Sequence, residues 1–163
     1  MTQQDWDIYF ATLAAEHTLL RHTPQDKHFF RGEVEEFFGD LRSKVRFPAL
    51  VMETGLLTLQ RNDAGYFSNI RTLAFIVAQN NVRDNWDDIS AALADCEVIG
   101  SELIGRLVSD IDGDRYPGFD GLSLNKVDCE PLANPPQKYV GWRFEFVVSE
   151  PACLINPNHW LRS

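Results

Sequence analysis

Residues 84–114 read DNWDDISAALADCEVIGSELIGRLVSDIDGD and hold nine acidic residues against one basic residue, Arg106. Wound at about 100° per residue, the stretch puts Asp84, Asp87, Asp88, Asp95 and Glu102 on one arc, with Ile89, Leu93, Cys96, Gly100, Leu103, Leu107 and Ile111 opposite. That spacing predicts a long amphipathic helix, dry on a sheet and strongly negative on the other side. The rest of the chain holds 15 acids and 14 bases, so nearly all of the net charge of -9 sits on this segment.

Outward from the helix, the pattern changes from period 3.6 to period two. Tyr139 to Val148 is the clearest strand, with Val140, Trp142, Phe144, Phe146 and Val148 on one side and Gly141, Arg143 and Glu145 on the other. Leu122 to Cys129 forms its neighbour, with an irregularity near Lys126, and Asn134, Pro135 and Pro136 make the turn between them. Upstream, Ala49 to Leu59 reads as a strand that turns at Asn62 to Gly65 and returns through Asn69 to Gln79. Leu73, Phe75 and Val77 alternate there with Thr72, Ala74, Ile76 and Ala78, so both faces need a cover, one of them from a neighbouring subunit.

Two helices open the chain. Trp6, Tyr9, Phe10, Leu13, His17 and Leu20 recur at helical steps over residues 4–20. Thr23 as a cap and Pro24 at the first position then start a second helix carrying Phe29, Phe30, Val34, Phe37, Phe38 and Leu41, with Glu33, Glu35, Glu36 and Asp40 on its wet side. The expected fold is one α+β domain over residues 1–163, ordered ααββαββ, with a mainly antiparallel four-stranded sheet packed on the acidic helix.

Composition excludes several classes. A length of 163 residues and 44% apolar content give a core without staples. The acidic balance argues against a general affinity for nucleic acid or anionic membranes, and no apolar run approaches the ~20 residues of a membrane span. Cys96, Cys129 and Cys153 lie too far apart for a zinc site, and their odd number suggests no disulfide framework. His17, His22 and His28 lack the spacing that puts imidazoles on one helical face.

GxSxG, GxxxxGK[ST] and GxGxxG are all absent, so no enzyme and no cofactor is expected. Asp110, Asp112 and Asp114 imitate the opening of a calcium loop, but Arg115 stands at the position of its glycine and Gly121 at that of its bidentate glutamate. A small-molecule or metal-binding domain using loop 110–120 is the alternative reading.

Four phrases, HTPQDKHFFR (22–31), FPALVMETG (47–55), NIRTLAFIVAQN (69–80) and GWRFEFVVSEPACLINPNHW (141–160), together with the acidic helix, resemble small proteins of prophage-like clusters. They look like the tail-terminator or tail-completion class of phage structural proteins. The resemblance implies a non-enzymatic α+β subunit that forms a ring, commonly a hexamer, and meets tail tube and neck proteins. It further implies residence in the host cytoplasm during assembly and then in the virion or a phage-tail-like particle. Arg61, Asn62, Asp63 and Tyr66 in the hairpin, with Asn158, His159 and Trp160 at the end, are the expected interface residues. The acidic helix face either lines a channel and repels DNA or simply solvates the outer surface.

Overall fold

The computed structural model describes residues 1–32, 46–63, 65–80, 85–134 and 139–152. Helix α1 (Gln3–Glu16) begins at Thr2, whose hydroxyl accepts from the Asp5 N–H while its own N–H donates to Asp5 Oδ2 at 2.7 Å. This reciprocal pair satisfies amides that a helix start leaves bare. The same bonds from Thr2 hold the Asp5 carboxyl below its ordinary range. The helix stops at Glu16 rather than Leu20, because His17 turns extended and the chain reverses through Arg21 at φ 50. Leu20 is nonetheless buried, below the end of the helix.

Thr23 spends its capping chemistry on a turn. Its Oγ1 accepts from the Asp26 N–H at 2.9 Å and its N–H donates to the Asp26 carbonyl at 3.0 Å. The chain then leaves extended, as strand β1 (Phe29–Arg31), which corrects the second helix expected at Phe29 and Phe30. Parallel pairing with β2 (Ala49–Met52) sets Phe29 beside Leu50 and Phe30 beside Val51. The two rings thereby join opposite cores, an alternation that a strand makes and one helical stripe cannot. Positions 33–41 of that expected helix lie outside the described residues.

Among the described residues, strand β4 (Phe67–Asn80) is the axis of a six-stranded mixed sheet in which β1 and β2 lie to one side of it and β6 (Tyr139–Pro151) and β5 (Ser123–Asn134) to the other. One of its edges pairs with β6 along its whole length. Its other edge is shared by β2 and β3 (Leu56–Arg61), both antiparallel to it. The single strand expected over 49–59 is therefore broken: Glu53, Thr54 and Gly55 stand opposite Leu73 and Ala74 alone, the extra residue of a bulge. Strand β5 completes the sheet beside β6, with its irregularity between Leu124 and Lys126 as the sequence indicated. The sheet exceeds the expected four antiparallel strands because β1 adds a parallel edge and the bulge splits one strand in two. The turn expected at Pro135 and Pro136 lies outside the described residues.

Helix α2 (Trp86–Asp112) is the acidic helix, capped by Asn85, whose Oδ1 accepts from the Asp88 N–H at 2.9 Å. It lies over β4, β5 and β6, while α1 covers the β1 and β2 side of the same face. Between helices and sheet, Trp6, Phe10, Phe75, Phe119, Phe144 and Phe146 form an aromatic core in which Phe75 and Phe144 stack at 5.1 Å. The opposite face has its own small core of Ala49, Val51, Ile76 and Ala78, against which Phe30, Phe47 and Leu132 pack. Ala49, Val51, Ile76 and Ala78 are fully buried within the single chain, so the cover expected from a neighbouring subunit is supplied at these positions by the chain itself.

Two glycines of α2 have opposite roles. A side chain on Gly100 would overlap the ring of Phe144, whereas one on Gly105 would meet nothing within 4 Å. Gly100→Ala should therefore cost about 1–3 kcal/mol through overpacking. Gly105→Ala should add up to about 1 kcal/mol through helix propensity. Urea unfolding of the two variants checks both signs.

Candidate functional site

The hairpin joining β3 to β4 is built by its polar turn. Asn62 Oδ1 accepts from the Tyr66 N–H at 2.9 Å, and the Asn62 and Tyr66 backbones pair at the same distance. Gly65 takes φ 88 and donates to the Asn62 carbonyl. The Arg61 guanidinium lies over the ring of Phe67 at 5.9 Å, a cation held on an aromatic face. Asn62 thus serves the turn, while Arg61 and Asp63 are exposed and Tyr66 stands 73% bare.

The strand itself carries more than the sequence indicated. All residues of β3 are exposed, including Leu56 at 66%, Leu57 at 44% and Leu59 at 49%. Register places Leu57 and Leu59 opposite Arg71 and Asn69, and Leu56 opposite Thr72, so apolar side chains project from both faces. Among the described residues the outer edge of β3 pairs with no strand. The run LLTLQR has no alternation to betray a dry side and a wet one, so the sequence marks a strand here without marking its leucines as exposed.

On α2, Asp87, Asp95 and Glu102 are exposed as expected, and Asp88 is half-buried, with its carboxylate accepting from Asn85 Nδ2 at 3.0 Å. Glu102 meets His17 Nε2 at 2.9 Å. Trp86 and Val98 stand bare among these acids. Asp84, Asn158, His159 and Trp160 lie outside the described residues.

Asp110 departs from the loop it was read with. Only 2% exposed, it accepts from Arg106 Nε at 2.9 Å through both oxygens and from the Tyr9 hydroxyl at 3.1 Å. Burial, with the Asp110 charge beside it, drives the Tyr9 phenol far above its ordinary pKa. Asp112 and Asp114 remain in solvent, and no three metal-ligating groups converge among the described residues. The carboxylate that would open a calcium loop is instead an internal tie between α1 and α2.

Two clefts among the described residues gather ionisable groups. One, of about 280 Å³, runs between the end of α1 and α2, where Arg106 reaches Glu16 at 3.4 Å and His17 reaches Glu102. The other, of about 350 Å³, lies over β5 and β6 around Arg143, which donates to Glu53 at 2.9 Å and to Glu145 at 2.9 Å. Those carboxylates, Glu53 first, hold the guanidinium well above its ordinary pKa. In both clefts the arginine is already engaged by more than one carboxylate, so no cation is left over for an anionic ligand there. Burial pushes the Cys96 thiol up to about 12, which leaves it protonated and inert as a nucleophile at neutral pH. No helix of the described residues is long and apolar enough to cross a membrane. No family model matches the chain, and no curated protein matches it.

Asp110→Ala should leave the Tyr9 hydroxyl buried without its acceptor and cost about 1–3 kcal/mol. Asp112→Ala, on the exposed exit of the helix, should stay within about 0.5 kcal/mol. Thermal melts of both variants with and without calcium check this, with no calcium-dependent rise expected in either.

Proposed function

We propose that this chain is a non-enzymatic structural subunit of a phage tail or phage-tail-like assembly, joining its own copies into a ring that terminates or completes the tube. The observation that carries the reading is the β3–β4 hairpin. An isolated domain rarely leaves a strand bare on both faces and along one edge, because unpaired backbone and apolar side chains invite association. Natural edges are blunted by charge, proline, bulges or shortness, and although a bulge precedes β3 and Arg61 ends it, the five residues Leu56 to Gln60 carry neither charge nor proline. Such a strand suits addition to a neighbour through main-chain hydrogen bonds, with the leucines filling pockets on either side.

A ring requires a contact between two different patches that closes on itself. The hairpin supplies one patch, and tail tube or neck proteins would meet the ring's ends. In this setting the exposed acids of α2, turned toward a channel, would keep DNA phosphates from adhering as they pass. The subunit would be made in the host cytoplasm and then reside in the particle.

Light scattering and negative-stain images of the purified protein test the reading. Closed rings are expected from the unchanged chain. Leu59→Asp should give monomers with stability altered by no more than about 0.5 kcal/mol, since the residue is exposed within the subunit. A monomer at high concentration, or rings that survive Leu59→Asp combined with Tyr66→Ala, would overturn it.

A further inference from the structure

The segment between α1 and β1 is organised around one imidazole. His22 Nδ1 accepts from the N–H of His28 at 3.1 Å and from the N–H of Phe29 at 3.2 Å. A ring nitrogen that accepts cannot carry a proton, so His22 is in the tautomer protonated at Nε2. The two amides it holds are those on which β1 begins. Directly beyond them the His28 carbonyl accepts from the Leu50 N–H at 2.7 Å, and Gly32 donates to the Met52 carbonyl at 3.2 Å, the bonds that seat β1 on β2.

We propose that His22 is an acid-operated clasp on the edge of the sheet: its uncharged ring holds β1 against β2, and protonation at Nδ1 releases the strand. A proton there would point at two N–H donors and leave both amides without an acceptor, a cost in a part-buried site. Release would bare the outer edge of β2 and withdraw Phe29 and Phe30 from the two cores they join.

The neighbouring histidine does not share this behaviour. His28 Nδ1 lies 2.7 Å from the Pro48 carbonyl, an acceptor, so that nitrogen is a donor in both charge states. Its Nε2 faces Asp26 at 3.6 Å, and Asp26 also meets Arg46 at 3.2 Å, so neither ring nitrogen of His28 accepts from a backbone amide of β1. Lys27 and His28 bring positive charge to His22, Arg21 directly precedes it, and Asp26 is already engaged by His28 and Arg46. Burial first, then the charges of His28 and Lys27, lowers the His22 pKa from its ordinary 6.5. A depressed histidine contributes stability that is complete above the ordinary value and is lost as pH falls through the folded one. Loosening of β1 therefore belongs to the acid side of 6.5.

Hydrogen exchange of the Phe29 amide, followed from pH 8 to pH 5 and corrected for intrinsic exchange, tests the clasp. The unchanged chain should lose protection at this amide as the pH falls below 6.5. His22→Asn keeps an oxygen acceptor near the position of Nδ1 and removes the titration, so its protection should be flat across that range. His22→Ala should lack protection at every pH. Nitrogen NMR of the unchanged chain should find Nδ1 unprotonated at pH 8, with its protonation coinciding with the opening. Nδ1 protonated at pH 8, or an acid loss in His22→Asn equal to that of the unchanged chain, would overturn the proposal.

Discussion

Strand β4 is buried against something in every direction over its second half. There Phe75 pairs with Met52 on one edge and Phe144 on the other, while its ring stacks on Phe144 and leans on Phe10 at 5.1 Å. Ile76, one residue on, points through the sheet into the second core. A strand so enclosed must satisfy its backbone entirely within the sheet and its side chains on both faces. The partners of β4, on both edges and both faces, follow from that demand.

The first half of the same strand is under no such constraint. Past the bulge at Glu53 to Gly55, β4 continues as one arm of a hairpin whose other arm is exposed throughout. The molecule therefore divides along β4 into a packed end and a presented end. Packing stabilises the first, and the second leaves apolar area in water that only a partner can remove. The proposed role as an assembly subunit would suit such a division, since a packed body would carry the arm offered to a neighbour.

Close approach sets the helix layer. Gly100 lets α2 settle on Phe144, and Gly141 leaves room for the Val77 carbonyl across the sheet, so helix and strands meet at distances that a side chain would forbid. The tie from Tyr9 and Arg106 to Asp110 then links α1 to α2 over the aromatic core. Charge inside the fold is taken up by such pairs, while Asp87 and Asp95 stay exposed on the outer arc of α2.

By itself the sequence determined the elements whose signal is periodic: α1, the acidic helix with its wet and dry arcs, the strand through Phe144, and the two apolar faces of β4. Local spacing suffices there, because one side of each element is dry over several repeats. Tertiary structure alone decided that Phe29 and Phe30 lie in a strand, since a three-residue element gains its identity from pairing with Leu50 to Met52 and not from its own period. It decided equally that Asp110 turns inward while Asp112 stays wet, and that Leu56, Leu57 and Leu59 are bare. An apolar residue carries no mark of whether anything arrives to cover it; that depends on where the rest of the chain ends up.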